Sequence, residues 1–149
     1  MSLPIKRAGA LLFLLFFIAC GQEGLVKVDV LSSQSGKALG SFKAELADDP
    51  QERSLGLMFR NELPANRAML FIFNEDSLTP FWMQNTLIPL DIIFVGADKK
   101  IINIVAQAQP QTTDPRSPAG PYRYVLEIQG GRAQALGIQA GDRLEFTLP

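Results

Sequence analysis

Apolar and polar residues alternate strictly in two stretches near the start of the chain. Val26, Val28 and Val30 are separated by Lys27 and Asp29, and Phe42, Ala44 and Leu46 by Lys43 and Glu45. A period of two marks a strand with one buried face, so two strands are predicted here, joined as a hairpin through the turn residues Ser32 to Gly36. Asp49-Pro50-Gln51-Glu52 is a helix start: Asp49 can cap, Pro50 suits the first helical position, and Glu52 sits where a capping box needs it. The helix is expected to be short, ending near Phe59, with Gly56 inside it or at its end. Met69 to Phe73 and Leu90 to Val95 are continuous apolar runs, as in strands buried on both faces. Gly96 to Lys99 turns the second run back into an antiparallel partner, Lys100 to Gln107. Pro110, Pro115, Pro118 and Pro121 then make a stiff, irregular loop, since proline gives no hydrogen bond to a strand ladder.

Tyr122 to Gln129 is strand again, with Tyr124, Leu126 and Ile128 on one face and Val125, Glu127 and Gln129 on the other. Gly130-Gly131 breaks it. A second short helix, Arg132 to Leu136, stops at Gly137, and Arg143 to Leu148 is a last strand. Seven or eight short strands with two short helices predict a mainly β fold: a single compact antiparallel or mixed sandwich or barrel spanning residues 25–149.

The first residues follow a different logic. Lys6 and Arg7 precede an apolar run, Ala8 to Ala19, that is too short to cross a bilayer as a helix, which takes roughly 20 residues. Ala19 stands directly before Cys20, the arrangement a lipoprotein signal requires. Residues 1–19 are therefore expected to be a signal peptide, Cys20 the lipidated residue, and residues 20–24 a tether. Two or more acyl chains hold a protein stably at a membrane where one does not. The expected address is the cell envelope, facing the periplasm. Gly21 is not the aspartate of an inner-membrane retention signal, which points to an outer membrane where the source has one. The expected partners are the membrane itself, through the anchor, and an unknown envelope component.

Composition narrows the chemistry further. The chain has no histidine, and Cys20 is its one cysteine. Serine or cysteine catalysis through histidine is excluded, as are zinc sites rich in His or Cys. No glycine-rich phosphate loop is present, so no cofactor and no metal is expected. The formal net charge of −1 gives nucleic acid nothing to follow. Met58, Met69 and Met83 are read as core filler rather than a soft-metal site.

Four blocks together resemble one family: Glu52 to Arg60 (Glu-Arg-Ser-Leu-Gly-Leu-Met-Phe-Arg), Ala68 to Phe73, Phe81 to Asp91 (Phe-Trp-Met-Gln-Asn-Thr-Leu-Ile-Pro-Leu-Asp), and Tyr124 to Glu127 with Gly130-Gly131 and Gly141-Asp142 behind. The chain is similar, from Leu25 to Leu148, to the bacterial and archaeal domain-of-unknown-function family 192. The resemblance implies a small, mostly β protein, often with a signal or lipoprotein leader, and implies no activity. The family more often has glycine at Ala68 and lysine at Gln84. The second departure removes a cation from the suspected site.

That site is expected around the polar cluster between Trp82 and Asp91. Trp82 can stack on a flat ligand or belong to the core, since Phe81 and Trp82 point to opposite faces and one must be inward. Asn85, Thr86 and Asp91 can line a pocket or tie down the backbone between Met83 and Pro89. Arg53 and Arg60, about two helical turns apart, can clamp an anion, or can pair with Asp91 or Glu127 and pin helix to sheet. Glu127, on an apolar strand, needs a partner. The candidate ligand-binding residues are therefore Arg53, Arg60, Trp82, Asn85, Thr86, Asp91 and Glu127. The expected function is a lipid-anchored, non-catalytic binding or accessory domain of the envelope. Two alternatives stand beside it: a carboxylate-dependent hydrolase of envelope polysaccharide with Asp91 and Glu127 as its pair, and a purely structural or interaction module.

Overall fold

In the computed structural model, residues 24–149 are described; the expected signal peptide and the expected lipidation site, Cys20, lie outside them. Seven strands form one mixed sheet: β1 (Leu25–Leu31), β2 (Ala38–Ala47), β3 (Arg67–Ser77), β4 (Leu90–Val95), β5 (Ile101–Ala108), β6 (Tyr122–Gln129) and β7 (Arg143–Glu145). Their spatial order is β5-β4-β6-β3-β2-β1-β7. The sheet curls until its two edges meet, where Lys100 bridges Arg143 and the Ile101 amide donates to the Asp142 carbonyl at 2.7 Å. The result is a half-barrel, within the mainly β class expected.

The β1–β2 hairpin forms as the alternation predicts, with Val28 opposite Phe42. One feature departs from an all-antiparallel reading. β2 and β3 run parallel, Ala44 beside Ala68, and the chain between them makes the crossover that a parallel pair needs. That crossover carries α1 (Pro50–Leu55), whose capping box closes through Asp49 and Glu52 as expected. The helix stops at Leu55 rather than Phe59. Gly56 takes φ 48° and ψ −132°, its amide returns to the Glu52 carbonyl, and Phe59 adopts φ 62°. A β-carbon at Gly56 would lie 3.3 Å from the Phe71 ring, so glycine here serves both a turn and a close approach.

Both faces of the sheet are covered. Inside the curl lie Val28, Val30, Phe42, Leu70, Ile93, Leu126, Ile128 and Leu144, closed by α2 (Arg132–Leu136) through Ala133 and Leu136. Outside it, Met69, Phe71, Ile92, Phe94 and Val125 pack beneath the 56–63 and 81–90 segments through Leu57, Leu63, Met83 and Leu90. A sheet buried on both sides explains why β4 is apolar at nearly every position.

Candidate functional site

The outer core has an opening. A cavity of about 360 Å³ lies between α1, the turn after it, the Thr79–Thr86 segment and the sheet. Pro50, Arg53, Ser54, Leu55, Leu57 and Met58 line one side, Thr79 to Trp82 and Thr86 another, and Phe71, Phe73, Tyr122 and Glu127 the floor. That size is within the range of small-molecule sites. The aromatic rings of the wall lock edge to face: Phe71–Phe81 at 5.2 Å, Phe73–Tyr122 at 5.1 Å and Phe81–Phe94 at 5.7 Å between centroids. Such contacts fix the wall in position before anything enters.

Main-chain pairing that the sequence did not reveal holds the Trp82 segment in place. Phe81 and Arg116 exchange backbone hydrogen bonds at 2.9 and 2.7 Å, Met83 donates to Thr112, and Gln111 donates to Thr86. The proline-rich loop is thus the backing of the cavity wall. Across the mouth, the Phe59 amide donates to the Asn85 carbonyl at 2.8 Å. Asn85 reaches that geometry with φ 56°, and its side-chain amide approaches the Met58 sulfur at 3.9 Å. Asn85 therefore ties down backbone. Thr86 does so too, its carbonyl accepting from Gln111, but it is buried and also lines the cavity. Between the two roles open to Trp82, the geometry chooses the surface: Phe81 turns inward, and Trp82 stands at the rim with 56% of its area exposed.

The two arginines do not form a clamp. With the helix ended at Leu55, Arg60 leaves the cavity and makes a bidentate pair with Glu45 at 2.8 and 2.7 Å, joined by Arg67 at 3.2 Å. The Arg60 guanidinium, with Arg67 behind it, holds the Glu45 carboxyl below its ordinary pKa. Arg53 stays at the cavity. One of its terminal nitrogens (Nη1) donates to the carbonyls of Asp48 and Ile72, and its guanidinium lies over the Phe73 ring, 5.1 Å from the centroid.

Nor do the two carboxylates form a pair. Asp91 sits opposite Ile128, and Glu127 opposite Ile92, in the antiparallel β4–β6 ladder. Residues directly opposite share a face, and successive residues do not. Asp91 thus faces the inner core with Ile128, and Glu127 the outer one with Ile92. The Asp91 carboxylate is fully buried and saturated: Oδ1 accepts from the Gln107 and Gly131 amides at 2.8 and 2.9 Å, and Oδ2 from the Ala133 amide at 2.8 Å. A register shift in β5 opposite Asp91 turns the Gln107 amide toward it. Gly130 must be glycine for this junction, since a β-carbon would come within 3.0 Å of the Pro89 backbone. Asp91 ties β4, β5 and α2 together and does not line the cavity.

Glu127 is the opposite case. It is 4% exposed, flanked in the ladder by Met69 and Ile92, and no described residue donates a hydrogen bond to it. Burial pushes its carboxyl up to about 8, so it stays protonated at neutral pH. The partner that the sequence demanded of it, Arg53 or Arg60, is not supplied. An unpaired acid on the floor of a cavity is a candidate functional group.

The family model described as "Uncharacterized ACR", DUF192, matches residues 30–146. A UPF0127 protein of Pyrococcus furiosus is 26% identical over 123 residues, 79% of this chain and 97% of its own length, and a second, from Pyrococcus abyssi, is 27% identical over 123 residues. Among solved structures, a protein of unknown function from Novosphingobium aromaticivorans is 47% identical with a TM-score of 0.76, covering 81% of this chain and 84% of that one. Another, from Sinorhizobium meliloti, is 35% identical with a TM-score of 0.79, covering 83% and 94%. The chain belongs to domain-of-unknown-function family 192.

Proposed function

We propose that the protein is a non-catalytic binding domain of the cell envelope, held to a membrane through lipid on Cys20, whose ligand enters the cavity between Trp82 and Glu127. One observation carries this reading: a carboxyl to which no described residue donates a hydrogen bond, set on the floor of an open cavity beneath an aromatic wall. A ligand that bonded to Glu127 would meet a polar group the fold leaves unused. The hydrolase alternative loses its pair, because Asp91 and Glu127 face opposite sides of the sheet.

Two measurements test the proposal separately. Cys20→Ser is expected to move the protein from the membrane pellet to the soluble fraction; a variant that stays in the pellet refutes the anchor. Native mass spectrometry of protein extracted from its own envelope is expected to show a bound small molecule. Trp82→Ala and Glu127→Leu should lose it while melting as cooperatively as the parent. Retention by both variants would place the site elsewhere.

A further inference from the structure

Among the groups lining the cavity, hydrogen-bonding capacity is unevenly spent. Ser54 Oγ donates to the Pro50 carbonyl at 2.8 Å, and the Tyr122 hydroxyl donates to the Thr79 carbonyl at 2.9 Å. Thr86 Oγ1 approaches the Gln84 carbonyl at 3.4 Å. Two groups keep donors in reserve. Arg53 uses one terminal nitrogen on main-chain carbonyls and leaves its other nitrogens uncommitted. Glu127, protonated, holds an O–H with no acceptor. No ion pair joins the two, so each is available to a third party.

Among the lining residues, Arg53, Tyr122 and Glu127 are the titratable ones. Apart from Ser54, Thr79 and Thr86, the rest of the floor and walls is apolar: Met69 and Ile92 flank Glu127, and Phe71, Phe73, Phe81 and Leu57 surround the space. A positive guanidinium and a neutral acid give the empty cavity a net positive character and two unspent donors. An organic cation would meet Arg53 as a like charge. An anion ending in oxygen would meet donors from both sides, with its apolar body against the rings. Arg53 is also already oriented, by Asp48, Ile72 and the Phe73 face, so little freedom is lost when it engages an anion.

From this we infer that the cavity takes a flat or slender apolar monocarboxylate, with Arg53 supplying the charge and Glu127 donating a hydrogen bond to a ligand oxygen. The inference rests on the cavity being the binding site and adds the class of ligand. A buried acid held neutral so that it can donate a hydrogen bond is an established device for stabilising oxyanions. The ligand carboxylate would raise the Glu127 pKa further, because ionising Glu127 would set two negative charges against each other. Binding is therefore linked to protons: full while Glu127 is protonated, weaker as pH rises past about 8, and accompanied by proton uptake near that pH.

Isothermal titration of the mature chain with three probes of one shape, naphthoate, naphthamide and naphthylmethylammonium, tests it. At pH 6 naphthoate is expected to bind tightest and the ammonium weakest. Naphthoate affinity should fall about tenfold between pH 6 and pH 9, with a buffer-dependent heat near pH 8 that reports the proton taken up. Glu127→Gln keeps an N–H donor, so it should bind naphthoate with no such pH dependence. Arg53→Met should weaken naphthoate more than naphthamide. Tightest binding of the ammonium, strengthening toward pH 9, would overturn the ligand class while leaving the cavity as a site. Equal binding of all three would overturn it too, reducing the cavity to an apolar slot. Binding of none would sink both this inference and the proposed function.

Discussion

Asp91 and Glu127 are one strand apart, equally buried, and opposite in every energetic respect. Three backbone amides converge on the two oxygens of Asp91. Glu127 has none and stays protonated. Three charge-assisted bonds can hold a carboxylate in a core, each contributing about 1.5–3 kcal/mol. A carboxyl with no donor avoids ionisation instead, and the protein carries the cost in stability. The lesson is that in this protein a buried acid is a strut on the inner face and a free group on the outer face. The register of one ladder, β4 against β6, decides which is which.

Substitution can break that contrast, and the largest effect is expected at Asp91. Asp91→Asn keeps the volume but turns an N–H₂ toward backbone donors, which should destabilise the fold by about 3–5 kcal/mol in urea unfolding. A loss below about 1 kcal/mol would mean that the strut carries little.

At Glu127 the sign reverses. Its pKa rises from 4.5 in the unfolded chain to about 8 in the fold. The native state therefore keeps a proton that the unfolded state releases, and stability declines as pH climbs from about 4.5 to 8, by about 1.4 kcal/mol per unit. Glu127→Gln removes this linkage. It should stabilise the protein by about 3 kcal/mol at pH 7 and flatten its stability profile over that window. A destabilised variant would mean that Glu127 has a folding role after all. Gain of stability with loss of the pH dependence of binding is the mark of a residue kept for function.

Smaller effects sharpen the picture. The Arg60–Glu45 pair is bidentate but about a third exposed, so Arg60→Ala should cost about 1 kcal/mol. Glu45 is held below its ordinary pKa, so that contribution should fade as pH falls through the acid range, the reverse of the Glu127 trend. Trp82→Ala, at the exposed rim, should change stability by less than about 0.5 kcal/mol while impairing ligand capture. A large drop in melting temperature would make Trp82 core instead of rim.

How far the sequence could be read depended on whether the information was local. Alternation in Leu25–Leu31 and Ala38–Ala47, the capping box at Asp49, and the left-handed stop at Gly137 were legible because each depends on residues within a turn or two. The helix end was misplaced because Gly56 responds to the Phe71 ring, a contact across the fold. That misplacement is what made Arg53 and Arg60 look like neighbours on one face. The pairing of the Phe81–Thr86 segment with residues 111–116 left no trace in either stretch.

What the sequence determined by itself was the mainly β class, the short helices, the family, and the set of polar residues worth suspecting. Tertiary structure decided their places: Asp91, Asn85 and Arg60 away from the cavity lining, Arg53, Thr86, Trp82 and Glu127 in it. The physical reason is that a strand shows its two faces only as parity, and parity does not say what each face will meet. Which carboxyl found three amides and which found none was settled by a sheet curling on itself, through contacts between residues far apart in the chain.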